Sequence, residues 1–143
     1  MNQRNPSSPQ AADPLVPLLA AFADARGAIQ PLVEGGIHSI QVITSKRDTV
    51  RANHYHKEDS HYMYVVSGAF QYYWRAAGDT AAPRSVRVPA GQMVRTPPLV
   101  EHAVHFLEDT VFLNITSEAR DQATYESDVV RVQLFSLEDH ARP

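Results

Sequence analysis

At 143 residues the chain has the length of one domain, and its 13 basic and 16 acidic side chains, intermixed along the sequence, leave a net charge of −3. No nucleic-acid partner is expected, because phosphate binding needs clustered Lys and Arg. The absence of cysteine removes disulfides, thiolate metal sites and cysteine nucleophiles, so any metal must be held by His, carboxylate or water.

Residues 1–13 are rich in Pro, Ser, Asn and Gln and too poor in apolar side chains to offset the entropy of ordering them. The sequence therefore predicts a disordered tail over 1–13 and a single domain over 14–143. Pro14 to Arg26 reads as a short helix: Leu15, Leu18, Leu19 and Phe22 share a helical face, Pro17 stands near its start and Gly27 fits its stop. The apolar run Leu15–Ala23 is short, contains Pro17, follows Asp13 and has only Arg4 ahead of it, so no secretion signal is expected, and no stretch reaches the roughly 20 apolar residues that span a bilayer. A cytoplasmic protein without a membrane partner is the expectation.

From Ile29 onward, short runs of β-branched and aromatic residues alternate with turn chemistry, which predicts an all-β sandwich or barrel. The predicted strands are Ile37–Thr44, Val50–His56, His61–Ser67, Ala69–Ala76, Ser85–Val88, Gln92–Thr96, His102–Leu107, Thr110–Thr116 and Val129–Phe135. Gly78–Asp79 and Glu108–Asp109 read as hairpin turns, and Ser117–Asp128 as a loop or short helix.

The seven histidines are unevenly placed. His54 and His56 stand two apart, so on a regular strand their imidazoles share a face with Val50 and Ala52, while Arg51, Asn53 and Tyr55 point the other way. Lys57-Glu-Asp-Ser60 is turn-like, and a hairpin there returns His61 beside the pair, in line with Met63 and Val65. His102 heads a further inward row with Val104 and Phe106; His105 has the opposite parity and is expected at the surface. Inward imidazoles of this kind make an open site for one divalent transition metal, with Fe, Ni, Zn, Mn or Cu as candidates.

These segments resemble the two motifs of the cupins. The first pairs His-x-His with a carboxylate and then a glycine, and here reads His54-Tyr-His56, His61, Gly68. The second runs glycine, proline, glycine, histidine, asparagine, and here reads Gly91, Pro97, Leu99, His102, Phe106. The resemblance covers Ile37 to Thr116 and implies a double-stranded β-helix, the cupin jelly-roll barrel, here with the short N-terminal helix added. His61 stands where a glutamate is usual, so the implied metal ligands are His54, His56, His61 and His102, as in some four-histidine cupins. Asp24-Ala-Arg-Gly27 and Val50-Arg-Ala-Asn-His-Tyr-His-Lys57 are also similar to cupin-type enzymes of nucleotide-sugar metabolism, including keto-isomerases and epimerases. That resemblance implies metal-free chemistry in which His54 or His56 moves a proton beside a sugar carbonyl and Arg51 meets a phosphate.

Met63, Val65, Val104 and Phe106 are the expected pocket lining, with Glu101 and Arg51 as candidate catalytic side chains. Arg120 to Glu126 could fold across the barrel mouth. Outward tyrosines, including Tyr62 and Tyr64, suit the contact face of a homodimer. The leading expectation is a metal-binding cupin enzyme acting on a small oxygen-bearing carbonyl or enol substrate, of dioxygenase or isomerase/lyase type. The alternatives are a metal-free nucleotide-sugar isomerase or epimerase and a non-catalytic small-molecule or sugar-binding cupin.

Overall fold

The computed structural model describes residues 13–138; of the tail expected over 1–13, all but Asp13 lie outside them. The strands are β1 (Phe22–Asp24), β2 (Gly27–Ile29), β3 (Ser39–Ser45), β4 (Val50–His56), β5 (His61–Ser67), β6 (Ala69–Ala76), β7 (Arg84–Pro89), β8 (Met93–Thr96), β9 (Val100–Phe106), β10 (Thr110–Thr116) and β11 (Val129–Arg131). A helix, α1 (Gln122–Asp128), precedes β11, with Asp121 capping its first turn by accepting from Thr124 N.

Two antiparallel sheets, ordered β3-β10-β5-β8 and β11-β4-β9-β6-β7, form the barrel, and β1 and β2 make a separate hairpin. Alternation decides which side chains enter the core. On β5, His61, Met63 and Val65 are buried; Tyr62 and Tyr64 are half-buried on the other face and Val66 is exposed. Phe70 and Phe106 from one sheet meet Phe112 from the other, with ring centroids 5.7–5.9 Å apart, and Val65, Val88 and Val94 fill in around them. Each such side chain contributes roughly 1.5–3 kcal/mol by leaving water.

The connections differ from expectation in a way that makes the barrel. β4 and β5 lie in different sheets, so residues 57–60 form a corner between sheets, not a hairpin. The same holds for Glu108–Asp109, between β9 and β10. The hairpin with Gly78 in its loop is present, joining the paired strands β6 and β7.

The expected helix over Pro14–Arg26 is absent. Pro14 and Pro17 have no N–H to donate, and the backbone between them runs along β8 instead. Val16 N donates to Met93 O, Arg95 N donates to Pro14 O, and Leu15 packs against the core. The expected strand Val129–Phe135 ends at Arg131; residues 132–135 continue as irregular chain held to β4 by Asn53.

Gly68, in the corner between β5 and β6, has φ +89°, and a Cβ there would lie 2.8 Å from Thr110 Cα and closer still to the Asp109 carbonyl. Gly78 has a similar φ of +82° but open space around it. Gly68→Ala should therefore lower the unfolding free energy by roughly 3–5 kcal/mol, combining left-handed strain with overpacking, and Gly78→Ala by only about 1–2 kcal/mol. Urea titration of the two variants checks the difference; equal losses would show that close packing at Gly68 contributes nothing.

Candidate active site

The site forms where β4 lies against β9. His54 pairs with His102 across the two strands, with ring centroids 4.8 Å apart. His56 follows one alternation along β4, its ring 4.8 Å from that of His54. The ligand nitrogens of His54, His56 and His102 all lie within 4.8 Å of one another. His61 arrives from the facing sheet, and its Nε2 lies 3.3 Å from His102 Nε2. The structure thus brings the four histidines together, three around one point and the fourth attached through His102.

Hydrogen bonds determine the tautomers. A carbonyl only accepts, so His102 Nδ1, 3.1 Å from Val100 O, carries the proton and leaves Nε2 as an acceptor for His61 Nε2–H. His56 Nδ1 donates to Asp128 Oδ2 at 3.0 Å, which leaves its Nε2 lone pair bare. That buried atom has no hydrogen-bond partner among the described residues, and neither has His61 Nδ1.

Burial keeps the four rings neutral. Loss of hydration lowers the His54 pKa to about 3, with smaller contributions from His56, Arg120 and Arg131. It also lowers those of His61 and His102 well below the usual value, reinforced by the neighbouring histidines and Arg120. For His56, desolvation and Arg120 lower the pKa, while Asp128 and Asp59 oppose them. The unfolded chain takes up protons at these rings near pH 6.5 and the folded chain resists, so folding stability is full above that pH and falls as pH drops below it. Denaturant titrations in chelator should show stability falling between pH 7 and pH 5. His54→Asn should reduce that slope by up to about 1.4 kcal/mol per pH unit.

Arg51 lies in the same cavity as His54, contrary to strict alternation. Ala52 and Asn53 have φ +72° and +54°, and the β4–β9 register shifts between Ala52 and His54. This bulge adds one residue, so Arg51 pairs with Val104 on the inner face. The guanidinium is held by Ser45 Oγ at 2.7 Å and Thr44 O at 3.1 Å. Asn53 turns outward, where its amide accepts from Leu134 N and Phe135 N and donates to Phe135 O.

The cavity at the histidines has a volume of about 180 Å³. Met63 and Val104 line it as expected; Val65 and Phe106 do not, because they lie deeper in the aromatic core. Glu101 also falls outside the cavity lining. It has the opposite parity to His102 on β9 and its Oε2 accepts from Arg75 Nε at 2.8 Å. His105 shares that outer face but is buried, stacked 5.5 Å from Phe135 of the irregular C-terminal segment.

Ile43, Phe112 and Asn114 also line it and were not singled out from sequence, whereas Arg120 and Tyr125 come from the segment Arg120 to Glu126 that was expected at the barrel mouth. Arg120 is ion-paired to buried Asp59 at 2.9 Å and lies over the Tyr125 ring at 5.4 Å. Asp59 also accepts from Ser117 N, Ser117 Oγ and Glu118 N, while Asp128 accepts from Glu58 N and Asp59 N. These bonds fasten the segment 117–128 to the β4–β5 corner and carry Arg120 and Tyr125 across the mouth.

The donor set fits a divalent cation. Three neutral imidazoles converge, and two of them are oriented through their other nitrogen by a carboxylate and a carbonyl, as metal-binding histidines usually are.

No family model matches the sequence, and no curated protein sequence matches it. Solved structures do. The 3,4-ketoisomerase QdtA from Thermoanaerobacterium thermosaccharolyticum, in complex with TDP, is 21% identical with a TM-score of 0.65 over 80% of this chain and 84% of that one. The chain has the cupin fold. A 3,4-ketoisomerase from Helicobacter canadensis superimposes on this cupin barrel with a TM-score of 0.67 at 17% identity, over 80% of this chain and 86% of that one. ChmJ, a 3'-monoepimerase from Streptomyces bikiniensis in complex with dTDP-quinovose, does so at 0.63 and 18%, over 75% and 65%. Among the described residues, no helix is long and apolar enough to cross a membrane.

Proposed function

We propose that this cupin is a nucleotide-sugar keto-isomerase or epimerase in which His56 moves the proton. The observation that carries the reading is the His56–Asp128 pair: a buried imidazole whose Nδ1 is fixed by a carboxylate at 3.0 Å and whose Nε2 has no partner among the described residues. That pairing is how a general base is held in one tautomer and its protonated form stabilised. The likeness in fold to sugar isomerases and epimerases supports the same reading.

In this scheme His56 Nε2 removes the proton from the carbon next to the ketone. The C–H electron pair becomes the C=C bond of an enediolate, and the former carbonyl electrons settle on oxygen. The Arg120 guanidinium, whose Nε has no hydrogen-bond partner among the described residues, supplies the positive charge for that oxygen. Isomerisation moves a proton between the two oxygens and returns His56's proton to the former carbonyl carbon; epimerisation returns a proton to the first carbon on its opposite face. Both are redox-neutral.

The volume matches a sugar ring better than a whole nucleotide, since pockets for larger ligands start at roughly 300 Å³. The remainder has a place nearby. A cleft of about 700 Å³, lined by Lys46, Ser67, Asp109 and Thr110, also has Arg51 in its wall, so a diphosphate there would meet two cations and one carboxylate. Asn114 Oδ1, buried without a hydrogen-bond partner among the described residues, is an acceptor for a ring hydroxyl.

The test is turnover of TDP-4-keto-6-deoxyglucose in D₂O with chelator present, followed by NMR. The wild type should place deuterium on a carbon adjacent to the ketone. His56→Asn should abolish exchange, and Asp128→Asn should lower kcat by about 10²–10⁴-fold with little change in KM. A wild-type protein that binds the compound and exchanges nothing would leave the sugar-binding alternative standing.

The convergence of His54, His56 and His102 favours one second reading, in which these residues hold a divalent ion. Such an ion would polarise the same carbonyl as a Lewis acid. Elemental analysis separates the two readings: one equivalent of metal in the wild type, none in His56→Ala, and loss of turnover on chelation would favour the ion over the free imidazole.

A further inference from the structure

The cavity at the histidines has two unlike walls. His54, His56 and His102 stand on the five-stranded sheet, whereas Met63, Phe112 and Asn114 stand on the four-stranded sheet that faces it. The second wall also supplies His61, whose Nε2 is taken up by His102. Apart from that ring, Asn114 is the polar side chain of an otherwise apolar surface.

Asn114 is 5% exposed and sits within β10, opposite Gln41 of β3 on one side and Met63 of β5 on the other. An amide gives up its hydration on burial, and each of its polar atoms left unpaired destabilises the fold. Half of this amide is accounted for. Its Nδ2 donates to Gln41 Oε1 at 3.1 Å, which fixes the group, while Oδ1 has no hydrogen-bond partner among the described residues. A leucine would fill nearly the same space without an orphaned carbonyl, so packing does not account for an amide here. Its free acceptor belongs to a residue that lines the cavity.

A 4-keto-6-deoxyhexose joined to its nucleotide through C1 keeps hydroxyls at C2 and C3 alone. The C3 hydroxyl stands on a reacting carbon and must meet the histidine wall, where the proton is moved. The C2 hydroxyl takes no part in the chemistry and is the ring donor left for the facing wall. We infer that Asn114, held by Gln41, is the residue that selects a sugar with a 2-hydroxyl over a 2-deoxy sugar; the inference rests on the keto-isomerase or epimerase reading above. A 2-deoxy sugar would cover Oδ1 and leave it unpaired, and a site built to bond a hydroxyl rejects the analogue that lacks it far more strongly than an apolar pocket rejects a missing methylene.

The test compares kcat/KM for TDP-4-keto-6-deoxyglucose with that for TDP-4-keto-2,6-dideoxyglucose in three proteins. The wild type should prefer the hydroxylated sugar by roughly 10²–10⁴-fold. Asn114→Leu should narrow that preference to below about 10-fold, chiefly by slowing the hydroxylated substrate, while its urea midpoint holds or rises because the orphaned carbonyl is gone. Gln41→Leu removes the group that fixes the amide and should narrow the preference in part. Gln41 is half-buried on the edge strand β3, so this variant retains the test should Asn114→Leu fail to fold. A wild type that turns over both sugars equally well, or variants that keep the wild-type preference, would overturn the inference and leave the isomerase reading standing. A wild type that turns over neither sugar would overturn both.

Discussion

The pairing of β4 with β9, interrupted by one extra residue, is the constraint on which the site depends. The left-handed backbone at Ala52 and Asn53 shifts the phase of β4 by one position, so side chains on either side of the bulge reach the same cavity. Without it, Arg51 would lie on the opposite face from His54. With it, Arg51 joins the histidines and Asn53 is turned outward, where it fastens residues 134 and 135. One local irregularity therefore sets the cation beside the cavity and the anchor behind it.

Electrostatics then define what the cavity can do. Four adjacent imidazoles are compatible with burial only when they are uncharged, and desolvation, mutual repulsion and Arg120 all act in that direction. Asp128 acts oppositely on one ring alone, and so distinguishes His56 from its neighbours. A cluster of equivalent residues becomes a set with different roles: His102 is held by a backbone carbonyl and His61 is tied to His102. Among the described residues, His56 is the one of the four with a carboxylate on one nitrogen and no hydrogen-bond partner on the other. This asymmetry is needed equally for proton transfer and for orienting a ligand to an ion.

Much of the barrel was legible from period-2 alternation, since β4, β5, β6 and β10 have the limits that the runs of β-branched and aromatic residues predict. The approach of His54, His56, His61 and His102 followed from the same rule and the motif spacing. What alternation could not show was where it breaks. Arg51 was assigned the wrong face because Ala-Asn carries no turn signal as strong as a glycine. Leu99, where the motif has glycine, keeps the left-handed φ of +63°, so the turn survives a residue that argues against it. Glu101 was chosen for its nearness in sequence to His102, although adjacent strand residues face opposite ways. Asp128 and Arg120 come from a polar segment with no periodicity, and only tertiary contacts reveal their roles. Local helical patterning misled at Pro14–Arg26, where pairing with β8 overrides it.

The anchoring of the irregular segment to the bulge has a consequence for how the protein is made. Asn53 is bonded to residues 81 and 82 positions later, and His56 to a carboxylate 72 positions later. During synthesis β4 leaves the ribosome long before the partners that complete it, and such distant pairings place the fold among slow, high-contact-order topologies. The nascent chain must carry its histidine pair unassembled until nearly the whole barrel has emerged, so nothing that depends on the finished cluster can begin on a partly made molecule.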